Sequence, residues 1–148
     1  INTHHAYLQQ ELPIISDYST KILRAHSLHH GEMLQRIHSL FHQLKLELEQ
    51  HLIKEEEILF PLIKQYEKEN DPEILARALK VMKETEEEHD GAGDVLKELR
   101  NITGQYTVPQ DGCTTFKLTY DKLEELESDL FQHIHLENNI LFRRLEGK

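Results

Sequence analysis

The sequence predicts an all-α protein of one domain, an up-down-up-down antiparallel four-helix bundle. Three observations carry this expectation. Charged residues make up 30% of the 148 residues, while Gly and Pro number only 6 and 4, a balance that favours helices. Apolar residues recur every three or four positions in four long stretches, the spacing of a helix with one buried face. The first two connections between these stretches are short, which makes neighbouring helices antiparallel.

The first stretch runs from about Thr3 to about Leu28, with Leu8, Leu12, Ile15, Ile22 and Leu23 facing inward. Pro13 lies inside it and should kink it or reset its start, because proline has no N–H and crowds the preceding turn. A turn is expected near His29-His30-Gly31. The second stretch runs from about Glu32 to about Lys68, its inward face formed by Leu34, Ile37, Leu40, Phe41, Leu44, Leu48, Leu52, Leu59, Leu62 and Ile63. Pro61 should bend it. Asn70-Asp71-Pro72 reads as a stop, an N-cap and a first-turn proline. The third stretch runs from about Pro72 to about Ile102, with Ile74, Leu75, Leu79, Met82, Val95, Leu96 and Leu99 as its stripe, and Gly91 and Gly93 weakening it locally. Residues 103–112 form a loop, and the fourth stretch runs from about Thr114 to about Leu145.

A length of 148 residues suits one compact domain, residues 1–148. A chain that begins at Ile1 rather than Met could be the C-terminal part of a longer protein. The formal charge is −10. Such acidity argues against nucleic acid and anionic membrane as partners. No apolar run reaches membrane-spanning length. Cys113 is the only cysteine, so the chain can form neither an intrachain disulfide nor a cysteine metal cage, and a reducing cytoplasm is the expected compartment. The unusual number is eleven histidines.

Their placement shows an internal repeat. His51-Leu-Ile-Lys-Glu55-Glu-Glu-Ile-Leu-Phe60 and His133-Ile-His-Leu-Glu137-Asn-Asn-Ile-Leu-Phe142 share His, Glu, Ile, Leu and Phe at a constant offset of 82 residues. Residues i and i+4 lie on one helical face, so His51 and Glu55 point the same way, and so do His133 and Glu137. An ordinary solvated His–Glu contact would explain one such pair. Here Leu48, Leu52 and Leu59 flank the first pair, and Leu130, Ile134 and Leu141 flank the second. A carboxylate beside a core stripe is costly unless it is paired or bound to metal.

Depth along the helices selects the other participants. Counted from the first turn near residue 30, His51 is about 21 residues into its helix and His5 about 25 residues back, nearly level at ~1.5 Å per residue. Around the second turn, Glu55 and His89 are again nearly level. His5, His51, Glu55, His89, His133 and Glu137 are therefore expected to converge on one layer. His4 could exchange roles with His5. His26 falls near the first turn, roughly 30 Å from His5 along a straight helix, and is not expected as a ligand. His29 and His30 read as solvated turn residues, and His38, His42 and His135 as surface or rim positions that nothing pairs.

Four imidazoles and two carboxylates without a thiolate suit Fe or Mn, with Zn also possible. Two glutamates from facing helices can bridge two metals about 3.5 Å apart and leave room for an exogenous ligand. A ferritin-like centre would instead need Glu-x-x-His on two helices, and only Glu86 and His89 match.

Several stretches resemble the hemerythrin-like domains and, more narrowly, the di-iron repair-of-iron-centres family, the YtfE/ScdA proteins. They are His4-His-x-Tyr7 with Glu11-Leu-Pro13, the His51–Pro61 run, Glu88-His89-Asp90-x-Ala92-Gly93, Gly112-Cys-Thr-Thr-Phe116 and the His133–Phe142 run. The last is the most specific, and the resemblance spans essentially the whole chain. It implies a hemerythrin-like bundle holding two non-haem Fe ions, carboxylate-bridged with an oxo or hydroxo bridge, on the six residues of the layer. The family also has a histidine at the His26 position. Two departures are Arg143, where the family usually has Pro, and the lack of its small cysteine-bearing N-terminal domain in this sequence. The implied function is repair or protection of iron–sulfur proteins under nitrosative or oxidative stress, by iron supply or nitric oxide handling. O₂ or NO would be the small ligand and iron–sulfur proteins the clients. Residue chemistry alone reaches a di-iron site with open coordination, which also fits an oxygen carrier or O₂/NO sensor, or an oxidase, peroxidase or NO reductase.

Overall fold

The computed structural model describes residues 2–145, with side chains from His5 onward other than those of Ile140, Leu141, Arg144 and Leu145. All regular structure among the described residues is helical. Helix α1 spans Asn2–Lys54, but His26 (φ −118°) and His30 (φ −130°) leave helical geometry. The chain doubles back there. Ser16 meets His42 at 2.7 Å, Thr20 meets His38 at 3.2 Å and His5 meets Glu56 at 2.8 Å, so the two arms of α1 run antiparallel. Pro13 does not produce the expected break, because the first arm keeps helical angles through it.

After α1 the helix widens. Glu55–Leu59 forms one π turn, in which the Phe60 N–H bonds to the Glu55 carbonyl. Helix α2, Phe60–Glu69, follows. Pro61 sits in the first turn of α2, directly after the π turn, and the helix runs on through it. Asn70 ends α2 in the left-handed region (φ 53°), and the Asp71 carboxylate accepts from Glu73 N–H at 2.9 Å to cap α3, Pro72–Ile102. Proline at the first helical position has no N–H to leave unpaired. Gly91 and Gly93 do not interrupt α3.

The loop that follows turns through three consecutive left-handed residues, Gly104, Gln105 and Tyr106. Tyr106 is pinned by its hydroxyl, which donates to Glu127 at 3.2 Å, and by Arg100 over its ring. The Cys113 sulfur then accepts from Phe116 N–H at 3.4 Å and caps α4, Thr114–Leu136. A second π turn, Glu137–Leu141, closes with the Phe142 N–H on the Glu137 carbonyl, and α5, Phe142–Leu145, ends the described chain.

The predicted stripes are largely buried, with Leu23, Leu40, Leu62, Leu75 and Leu79 only half-buried. The apolar core falls into two clusters. The larger holds Leu8, Leu48, Leu52, Ala92 and Leu130 among others; the smaller holds Leu59, Ile63, Ala78, Met82 and Phe142. The residues between these clusters along the chain are the His and Glu pairs of the repeat. A polar layer thus interrupts the core, an arrangement that costs stability unless every group in the layer has a partner.

Candidate metal centre

All six residues of the expected layer come together. His5, His51, His89 and His133 are at most 5% exposed, and Glu55 and Glu137 are fully buried. One donor atom from each of His51, Glu55, His89, His133 and Glu137 can be chosen so that all lie within 4.8 Å of one another. His5 adjoins this set, its Nε2 at 3.5 Å from Glu55 Oε2 and its ring 5.5 Å from that of His133. Glu137 Oε1 lies 2.9 Å from Nε2 of both His89 and His133 and 3.8 Å from Nε2 of His51. His51 Nε2 also contacts its i+4 partner, Glu55.

The outward-facing nitrogens of His5, His51 and His89 are occupied. His5 Nδ1 donates to Glu56 at 2.8 Å, His51 Nδ1 to Glu88 at 3.2 Å and His89 Nδ1 to Asn138 Oδ1 at 3.0 Å. An imidazole that donates from Nδ1 keeps the lone pair on Nε2. Those Nε2 atoms of His5, His51 and His89, with Oε2 of Glu55 and both oxygens of Glu137, are buried and make no well-directed hydrogen bond. Buried donors and acceptors left in that state are costly and call for an explanation. Here they all face one another, as ligands around a cation would. The chemistry of the set fits: imidazole and carboxylate without thiolate suits Fe or Mn, with Zn also possible.

The electrostatics of the cluster are those of closely paired acids and bases. Burial lowers the pKa of His51, but hydrogen bonds and charge from Glu137 and Glu55 outweigh it and raise the group to about 10. The same balance raises His133 to about 9. His5 is also raised, burial opposing and Glu55 and Glu56 prevailing. Burial works to raise Glu55, yet hydrogen bonds from His133, His5 and His51 hold it far below the ordinary carboxylate range. Glu137 is lowered likewise by His133, His51 and His89. The imidazoles and the two carboxylates thus favour each other's charged forms.

The remaining histidines lie elsewhere. His26 Nε2 contacts the Cys113 sulfur at 3.2 Å, at the end of the molecule where α1 doubles back. His30 is half-buried against Asp111 at 3.0 Å rather than simply solvated. His38 and His42, expected to have no partner, stack on each other at 4.0 Å and bond to Thr20 and Ser16 across the arms of α1. His135 is exposed and bonds to Asn139. The side chain of His4 lies outside the described residues.

Sequence reasoning missed the outer partners Glu56, Glu88 and Asn138 and both π turns. The repeat did carry a signal for two of them, since Glu56 and Asn138 each follow the buried glutamate of their half. A cleft of about 470 Å³ opens beside the cluster. Its apolar wall is Leu8, Leu48, Ala92, Leu130 and Ile134, its floor includes His51, His89 and His133, and Lys54, Glu84 and Glu88 stand at its mouth.

Fold and site together define an all-helical, hemerythrin-type domain whose buried His/Glu cluster can hold metal. The chain belongs to the hemerythrin HHE cation binding domain family, which it matches over residues 1–145. It is 37% identical over 145 residues to proteins named iron-sulfur cluster repair protein YtfE in Escherichia coli O157:H7, Enterobacter sp. and Citrobacter koseri, covering 95% of this chain. The chain spans about 60% of the length of these relatives. No helix among the described residues is long and apolar enough to cross a membrane.

Proposed function

We propose that the two arms of α1, α3 and α4 form an up-down-up-down antiparallel four-helix bundle of the hemerythrin type, and that its polar layer holds two iron ions. Cross-helix pairs support the antiparallel course: His51–Glu88 and Lys54–Glu84 join the second arm to α3, and His89–Asn138 and Arg100–Glu127 join α3 to the last helical stretch. In each case residue numbers rise on one side as they fall on the other. His5, His51, His89 and His133 would bind the irons terminally, and Glu55 and Glu137 would bridge them. The convergence on one point of buried nitrogen and oxygen atoms that make no well-directed hydrogen bond carries this reading. When bound, the iron pair supplies open coordination for a small ligand such as O₂ or NO. The protein's residues orient the imidazoles, exclude bulk water and offset charge.

The function we propose is protection or repair of iron–sulfur clusters under nitrosative or oxidative stress in the cytoplasm, by iron supply or NO handling, with iron–sulfur proteins as clients. The names of the relatives support it. The cleft favours it over a stable oxygen carrier, because a carrier needs a tight apolar pocket whereas this opening is large and has charged residues at its mouth. An O₂/NO sensor is the second reading, supported by the apolar wall of the same cleft. The test is iron analysis with optical spectra on protein from iron-replete cells, then anaerobic exposure to NO or O₂, then incubation with a cluster-depleted iron–sulfur protein. About two irons per chain and reactivation of the acceptor are expected. Iron near zero sinks the metal reading, and tightly retained iron with reversible ligand spectra shifts the function to sensing.

A further inference from the structure

The internal repeat organises more than the ligands. Each π turn holds an imidazole from another helical stretch in three ways. In the first, Glu55 Oε2 approaches His5 Nε2 at 3.5 Å, Glu56 accepts from His5 Nδ1 at 2.8 Å, and Phe60 stacks on the His5 ring at 5.9 Å. In the second, Glu137 Oε1 approaches His89 Nε2 at 2.9 Å, Asn138 accepts from His89 Nδ1 at 3.0 Å, and Phe142 stacks on the His89 ring at 6.4 Å. Glu55 and Glu137, Glu56 and Asn138, and Phe60 and Phe142 are partners in the repeat, each pair 82 residues apart. The two halves thus present His5 and His89 by the same device. They differ in chemistry at one point, a carboxylate at position 56 and a carboxamide at position 138.

That difference acts through the imidazole. A carboxylate accepting from Nδ1–H makes a charge-assisted bond, roughly twice as strong as a neutral one. It raises the basicity of the ligating Nε2, and such outer partners commonly change metal affinity by about 10- to 100-fold. An amide carbonyl fixes the same tautomer and ring orientation but donates less charge. We infer that Glu56 and Asn138 are positioning residues that make the two cation positions unequal, and that Asn138 leaves the cation bound through His89 as the exchangeable one. Among the three outer partners Glu56, Glu88 and Asn138, only Asn138 is neutral. His89 lines the open cleft together with His51 and His133, whereas His5, the imidazole held by Glu56, does not. The asymmetry therefore places the weaker donor where a cation can leave. This inference rests on the two-cation reading above.

The experiment titrates the metal-free chain with Co²⁺ under anaerobic conditions against a chromophoric chelator. The parent should bind two Co²⁺ with unequal constants. The shape-conserving Asn138→Asp should tighten the weaker step about 10- to 100-fold and bring the two together. Glu56→Gln should loosen the tighter step by a similar factor. Proton NMR of the Co²⁺ form supplies a readout that a merely structural role would not move. Asn138→Asp should shift the exchangeable Nδ1–H signal of His89 and leave that of His5, and Glu56→Gln should do the reverse. If Asn138→Asp fails to fold, Glu56→Gln decides alone through the tighter constant. Two bound Co²⁺ with equal constants in the parent, or with the constants unmoved by the substitutions, overturn the inference and leave the two-cation reading standing. Fewer than two Co²⁺ in the parent overturns both.

Discussion

Loading metal onto this site should expel about two protons at neutral pH. In the metal-free chain His51 and His133 are raised to about 10 and about 9, so both carry a proton at pH 7. A histidine must be neutral to ligate. Removing those protons at pH 7 costs about three and about two logarithmic units, about five together. At about 1.4 kcal/mol per unit, roughly 7 kcal/mol of intrinsic binding energy is offset by proton displacement. The apparent affinity should therefore rise by about two logarithmic units per pH unit between pH 7 and about 9, and level off above about 10. Calorimetric titration with Zn²⁺ or Co²⁺ in two buffers of different ionisation enthalpy counts the protons directly. A binding enthalpy independent of buffer, or an affinity flat over that range, would refute the view that protonated imidazoles neutralise Glu55 and Glu137 when metal is absent.

Three further outcomes follow from the same geometry. Glu55→Ala or Glu137→Ala should lose most of the metal, because each carboxylate lies among three imidazoles, whereas His26→Ala should keep it; metal analysis of the purified variants reads this, and the opposite ranking would place the site at the bend of α1 instead. Phe142→Ala should destabilise the metal-free chain by about 3–5 kcal/mol in denaturant unfolding, since it empties a fully buried position in the smaller core cluster and removes the ring stacked on His89. The metal-free chain should lose thermal stability in alkali. The raised His51 and His133 contribute fully below their unfolded value of about 6.5, and that contribution disappears as pH rises through about 9 to 10. The lowered Glu55 and Glu137 contribute above about 4.5, the contribution declining as pH falls below that value. A melting temperature unchanged between pH 7 and 10 would count against the ion pairs.

The layer was legible because it depends on quantities a sequence states outright. The rise per residue and the two short turns place His5 beside His51 and Glu55 beside His89, and the 82-residue offset marks the two pairs that face them. The outer partners were not legible, because Glu56 and Asn138 carry polar side chains that a regular α-helix would turn away from the site. The rings that stack on His5 and His89 were hidden for a further reason. Each π turn closes over five residues instead of four, inserting one residue into the helix. Phe60 and Phe142, five residues after the buried glutamates, are thereby brought round toward the same face, where they stack on those rings. A strict 3.6-residue period has no place for this insertion, so a periodic reading finds the buried cluster and misses its supports. Both copies of the Glu-x-x-Ile-Leu-Phe signature coincide with a π turn, and both place a buried carboxylate at the first residue, an outer acceptor at the second and an aromatic ring at the sixth.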